Sequence, residues 1–340
     1  MPSRGSKNKP RNMAEQVRRL LALFAPEDRV LVSIAADPDA MGAALAFKRL
    51  LWRRVASVTI ARANEITRPD NLAMIRLLNI PLEPLNSLRP GDFSKRVMVD
   101  SQPHHSKTFA GTPQHVIIDH HPLGEGTDKA LFADVRPRYG ATSSIMTEYL
   151  RAAGIKPSTR LATALVYGIK NDTAGFQRPA IAEDVAALQF LFPKANQAVL
   201  RNIEFSEMRL KDLEVLRQAL GLYQVRRHCI FVHLGACQSP DNLVQIADFF
   251  LKVDSVDFTA ASGIYRDNLV VVMRNVGLRT NAGALAQRAF GDIGPAGGHK
   301  AMARAELPVA VLKERLGKLD EAKLRDFVMQ SLLRPAAAKR

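Results

Sequence analysis

The sequence predicts an α/β chain of two domains, a parallel-sheet domain joined by a helical connector to a smaller α/β domain. Three observations predict it. Four short apolar runs, RVLVSIAA, SVTIARA, RVMVD and HVIID, fall between residues 29 and 119 and are separated by helix-like or polar segments. Near-continuous apolar runs of this kind are strands of a parallel sheet covered on both faces. After residue 222 the texture changes to HCIFVHL, VDFTAASGIY and NLVVVMR, a second group of strands. The 340 residues, 47% hydrophobic, are also enough for two cores.

The elements follow in order. Residues 13–24 place Val17, Leu20, Leu21 and Phe24 at helical spacing, and Pro26 ends the helix. A strand over 29–36, a helix over 40–55, a strand over 57–63 and a short helix in NLAMIRLLN come next. Strands over 96–100 and 115–119 complete the sheet. Residues 143–153 and 159–169 read as helices, the second running into GIKNDTAGF, and 180–222 as a further helical stretch. The second group of strands leads to a helix approach over 277–290, then PAGGHK, then a charged helix over 313–333. The expected segments are a basic tail and helix (1–26), the parallel-sheet domain (27–205), the connector (206–224), the second domain (225–315) and a C-terminal helix with a basic tail (316–340).

Composition excludes several classes. No apolar run approaches the roughly 18–20 residues that cross a bilayer, and the basic start MPSRGSKNKPRN lacks a signal-peptide core. A cytoplasmic protein with no membrane partner is the expectation. Two cysteines are too few for a disulfide framework. Cys229 and Cys237, with His228 and His233 in HCIFVHLGAC, read as an apolar strand, since a zinc site there lacks close paired spacing. The formal net charge of +15 favours polyanionic partners, nucleic acids or nucleotides among them.

The acids carry the chemistry. Asp37 and Asp39 follow the first strand in SIAADPDAMG, Asp100 ends the third and Asp119 the fourth, so they converge on the carboxyl edge of the sheet. His120 and His121 stand beside Asp119, and Asp172 lies in KNDTAGF. Such a set suits hard divalent cations, and an imidazole in it tilts the choice from magnesium toward manganese. Two ions roughly 4 Å apart would activate water for an in-line phosphoryl displacement. Taken singly, Asp37 or Asp39 reads equally well as a helix N-cap and Asp172 as a cap or turn residue.

The order DPD, VMVDS, IIDHHP, GIKNDTAGF resembles the four motifs of the DHH phosphoesterase superfamily, and LRTNAGALAQRAFGDIGPAGGHKA resembles its C-terminal DHHA1 domain. The likeness is to the RecJ-like branch that holds nanoRNases and 3′-phosphoadenosine 5′-phosphate phosphatases. It implies a DHH catalytic domain followed by a DHHA1 substrate-binding domain. The implied metal ligands for two manganese ions are Asp37, Asp39, Asp100, His120 and Asp172, with Asp100 bridging. Asp119 is implied as a supporting acid and His121 as a residue that either orients the metal ligands or faces the phosphate, both in the catalytic group with Asp100 and His120. Arg279, Gly297, Gly298 and His299 are implied to bind substrate. Ser33 stands where the family usually has a histidine, Ala296 replaces the first of three glycines, and Met302 and Arg304 stand where the family usually has small residues. The implied function is hydrolysis of short oligoribonucleotides or related nucleotides. The alternative is a nucleotide- or RNA-binding regulatory protein on the same fold. The expected partners are a short RNA or nucleotide substrate, with a homodimer allowed.

Overall fold

In the computed structural model, which describes residues 12–106, 108–109, 113–206, 208–276 and 280–333, the chain divides into two units, Met1–Glu207 and Met208–Arg340. The first opens with α1 (Met13–Leu21), capped by Asn12, which buries Val17 and Leu20. β1 (Arg29–Ile34), α2 (Pro38–Leu50), β2 (Ser57–Arg62), α3 (Pro69–Leu77) and β3 (Glu83–Pro84) follow. Next come β4 (Lys95–Val99), β5 (Val116–Asp119) and β6 (Phe132–Val135), then α4 (Thr142–Ala152), α5 (Thr159–Asp172), α6 (Ala182–Leu191) and α7 (Gln197–Glu204).

These strands form one six-stranded sheet in the order β3-β2-β1-β4-β5-β6, with every pair parallel. The order reverses between β1 and β4, which is where a doubly wound sheet leaves a crevice at its carboxyl edge. Alternation along the strands sorts the side chains. Val30, Val32, Ile34, Val97, Val99, Val116 and Ile118 join the large core with the helices. Met98 and Ile117 point the other way, into a small cluster with Phe109 and Leu85. Both faces are covered, as expected, but not alike, the α-helices packing on the first. Among the described residues the second face is closed by the β4–β5 crossover, a loop bearing a 3-10 turn at Pro103–His105, and by the segment after β3.

The second unit comprises α8 (Asp212–Leu222), β7 (Gln224–Arg226), β8 (Cys229–Ala236), α9 (Pro240–Leu251), β9 (Phe258–Tyr265) and β10 (Asn268–Asn275). It continues through α10 (Ala282–Phe290), β11 (Ala296–Gly298), β12 (Met302–Pro308), α11 (Val309–Leu316) and α12 (Glu321–Leu333). Its mixed sheet runs β11-β12-β10-β9-β8-β7, with β8 and β9 parallel and the other pairs antiparallel. Ile230, Val232, Val270 and Val272 pack under α8 and α9, while Phe231, Leu269, Val271 and Met273 pack against α10, α11 and α12.

Some elements differ from expectation. The charged helix over 313–333 is two helices, because Gly317 ends α11 at φ 74, a positive angle that glycine adopts without strain. The helical stretch over 180–222 is three α-helices, the last of which lies in the second unit. The Cys/His stretch, by contrast, is the strand expected: both cysteines are free, and the buried His233 ring pairs through Nδ1 with Ser262 Oγ at 2.9 Å. Among the described residues no helix is long and apolar enough to cross a membrane.

Candidate metal centre

The carboxyl ends of β1, β4 and β5 deliver the acids. Asp37 caps α2, its Oδ1 accepting from the Ala40 amide at 2.9 Å, with Pro38 pre-set for the first turn. Asp39, fully buried in the first turn of that helix, accepts from the Thr142 amide at 2.6 Å and the Ser143 amide at 2.7 Å. It thereby satisfies two of the amides that the start of α4 leaves without helical partners. Glycine makes this approach possible: a Cβ on Gly168 would lie 2.6 Å from Ser143 Oγ and 3.0 Å from Asp39 Cα.

Asp100 follows β4 at φ 55, a left-handed conformation that a non-glycine residue adopts at a cost of about 1 kcal/mol or more. Thr142 Oγ1 donates to its Oδ1 at 2.7 Å. Asp119 is the last residue of β5 and is fully buried. Its Oδ1 accepts from the His120 amide and from His121 Nδ1, both at 2.8 Å, and its Oδ2 from Gln102 Nε2 at 2.6 Å. Asp172, the last residue of α5, brings Oδ2 to 3.1 Å from His120 Nε2.

Ligand-type atoms lie within 4.8 Å of one another in three overlapping sets. These are Asp39, His120 and Asp172; Asp100, His120 and His121; and His105, Asp119 and His121. Asp37 is in none of them, but its charge couples to Asp172 and Asp39. Burial, then Asp172 and Asp39, pushes its carboxyl up to about 7. Burial and Asp172 push Asp39 up to about 6. Burial and the charges of Asp39 and Asp37 hold Asp100 well above the ordinary carboxylate range. Asp119 goes the other way: burial opposes it, but the hydrogen bonds from His121 and Gln102 keep it low.

The residues fit a divalent cation. The Tyr139 carbonyl can only accept, so His120 Nδ1, 3.1 Å away, carries the ring proton. The buried Nε2 then presents its lone pair to Asp172 and to Asp100 Oδ1 at 3.6 Å, and makes no well-directed hydrogen bond. A lone pair facing carboxylates is repulsive unless a proton or a cation lies between them. Against burial, Asp172 and Asp39 push the imidazole up to about 9, the proton standing where a cation would serve the same charges.

Four contributors lay outside the sequence reading. Gln102, fully buried, joins Asp119 to the next loop by donating to Pro122 O at 3.0 Å and accepting from the Gly124 amide and Thr127 Oγ1, each at 2.8 Å. Tyr139 orients His120 through its backbone, and its hydroxyl donates to Glu148 at 2.8 Å beside the buried Arg136–Asp134 ion pair. Thr142 and His105 complete the four. The repeated histidine in DSQPHHS, placed just after a strand-end acid, was the available signal for His105. Ser33 lines a cavity of about 280 Å³ with Leu31, Leu85, Arg96 and Phe109, and no acid of the cluster is among its described lining residues.

The residues expected to bind substrate belong to the second unit. Gly297 and Gly298 lie in β11, where Gly298 at φ 147 needs glycine, and the exposed His299 donates its amide to Met302 O at 2.8 Å. Arg304 pairs with Glu306 at 2.7 Å. Arg279 lies outside the described residues.

Residues 29–169 match the family model described as the DHH family, N-terminal domain. An uncharacterised protein of Methanocaldococcus jannaschii is 33% identical over 307 residues, 88% of this chain and 63% of that protein, so the chain spans under two thirds of that relative. An exopolyphosphatase-related protein from Bacteroides fragilis superposes with a TM-score of 0.73 at 16% identity, covering 96% of this chain and 97% of that one. The exonuclease RecJ bound to manganese superposes with a TM-score of 0.50 at 12% identity, covering 96% of each chain. At these identities the structural likeness is one of fold.

Proposed function

This chain is a member of the DHH superfamily, and from that premise we propose that it is a metal-dependent phosphoesterase acting on short oligoribonucleotides or related nucleotides such as 3′-phosphoadenosine 5′-phosphate and dinucleotides. The observation that carries the reading is the buried His120 Nε2, which makes no well-directed hydrogen bond and faces the carboxylates of Asp100 after β4 and Asp172 at the end of α5. Asp37, Asp39, Asp100, His120 and Asp172 are the residues that would hold two divalent cations. Manganese, the ion named with RecJ, is the expected ion, and magnesium a substitute. A bound cation supplies Lewis acidity, which lowers the pKa of water and offsets charge on a phosphoryl oxygen.

The chain's own residues do the rest. Tyr139 fixes the His120 tautomer so that Nε2 can ligate. Thr142 Oγ1 holds the Asp100 carboxylate against rotation. Asp119 takes the Nδ1 proton of His121 in a hydrogen bond, which leaves the other face of that half-exposed ring to substrate. Arg279, Gly297, Gly298 and His299 are assigned to nucleotide binding, where glycine lets backbone amides approach a phosphate and arginine adds a charged fork.

The test is release of mononucleotide from an end-labelled RNA dinucleotide with manganese present, with Asp100→Ala as control. Turnover by the wild type, with a loss of at least 10³-fold in the variant, is the expected result. A wild type that binds the dinucleotide without turning it over would overturn the enzyme reading in favour of a regulatory one.

A further inference from the structure

We propose that His105, carried on the turn after β4, is an additional phosphate-binding residue of this site. The proposal rests on the phosphoesterase reading and names a group that grips the anion.

One ring nitrogen of His105 lies within 4.8 Å of both an Asp119 carboxylate oxygen and a ring nitrogen of His121. The rings of His104, His105, His121 and His120 follow one another with centroids 4.4, 5.0 and 4.4 Å apart, so four imidazoles run in file from the surface to the buried acids. His104 and His105 are exposed, and His121 is 41% exposed, whereas Asp100 and Asp119 are buried. An anion arriving from solvent therefore meets imidazole edges before it meets carboxylates. A purely acidic mouth would repel a phosphate, and donors at its rim offset that repulsion.

The tautomer favours an anion over a cation. The backbone N–H of Gln102 reaches His105 Nδ1 at 3.3 Å, and an N–H can only donate. Nδ1 therefore accepts, and the ring proton resides on Nε2. A metal ligand needs a lone pair at the nitrogen it offers, whereas an Nε2–H is a donor suited to a non-bridging phosphoryl oxygen. The turn is also held in place. Gln102 binds Asp119, Pro122, Gly124 and Thr127 at once, and the His104 ring lies so close over Gly124 that a Cβ there would be 1.8 Å from it. Donor and acids are thus positioned by the same buried amide.

The experiment titrates wild type, His105→Ala and His105→Gln by calorimetry, first with manganese alone, then, manganese-loaded, with adenosine 5′-monophosphate and with adenosine. For His105→Ala the expected result is about tenfold weaker binding of the monophosphate, with manganese and adenosine affinities unchanged. His105→Gln, whose amide supplies an N–H in place of Nε2–H, is expected to recover most of the loss, and it decides the matter if the alanine variant does not fold. Equal monophosphate affinity in wild type and both variants overturns the proposal alone. A lower manganese stoichiometry in His105→Ala also overturns it, by making His105 a cation ligand. Failure of the manganese-loaded wild type to bind the monophosphate removes the phosphoesterase reading, and this proposal with it.

Discussion

Gln102 commits both ends of its amide within the first unit, donating to Asp119 and Pro122 and accepting from Gly124 and Thr127. No water-exposed surface remains to it. A same-length apolar side chain would leave a buried carboxylate oxygen, an amide and a hydroxyl without partners, each costing about 1–3 kcal/mol. Gln102→Met should therefore lower unfolding stability by about 2–4 kcal/mol, since partial relaxation offsets some of that sum. Urea denaturation reads it directly, and a midpoint within error of wild type would mean that these groups find other partners. The contrast with the acids shows what a sequence exposes. Asp37, Asp39, Asp100, Asp119 and His120 stand at or just past strand ends, where apolar pattern and charge meet and both can be read. Gln102 is an unremarked polar residue until its loop returns, and Tyr139 acts through a carbonyl that every residue possesses.

At the scale of elements, the site depends on how closely α2, α4 and α5 approach. Asp39 on α2 receives the free amides of α4, and the lack of a side chain at Gly42 and Gly168 lets the three helices meet around Ser143. Gly168→Ala places a methyl 2.6 Å from Ser143 Oγ and 3.1 Å from Pro38 O, so a helix must shift. Overpacking of this kind costs about 1–3 kcal/mol. Because Asp172 ends α5 and Asp39 starts α2, the same shift should separate their carboxylates. The expected outcome is a lower melting temperature together with manganese binding weakened several-fold by calorimetry; a lower melting temperature with unaltered metal affinity would confine the glycine to packing. The strands and the longer helices were legible because a short apolar run bounded by polar residues, as in RVLVSI, reads as a buried strand, and a longer one, as in TRLATALVYGIKND, as a buried helix. Less legible was the β4–β5 crossover, which carries His104 and His105 without helical period and still covers a sheet face. β12, MARAELP, alternates only weakly, since alanine fills most of its inward positions, and its pattern does not stand out as a strand.

The whole molecule carries +15, and that charge is unevenly spread along the sequence. Arg4, Lys7, Lys9 and Arg11 precede the first helix, and Arg334, Lys339 and Arg340 follow the last, so seven of the fifteen excess charges lie in the two end segments. The candidate site is a concentration of acid, so under the proposed function a bound cation and the imidazole rim would be the local attraction for a phosphate. The end segments add positive charge that a longer nucleic acid would neutralise. These two contributions separate by salt. For single strands, each neutralised phosphate adds about 0.7 to the slope of log affinity against log salt. A chain trimmed to residues 12–333, which retains every described element, should hydrolyse the dinucleotide as the full chain does. Its affinity for a 20-nucleotide RNA should be weaker, with a salt slope shallower by about 0.7 for each phosphate that the ends would have neutralised. Fluorescence anisotropy at several salt concentrations measures both. Coincident slopes for the trimmed and full chains would confine the ends to solubility and leave RNA recognition to the folded units, whose remaining excess of eight charges would then have to account for the whole slope.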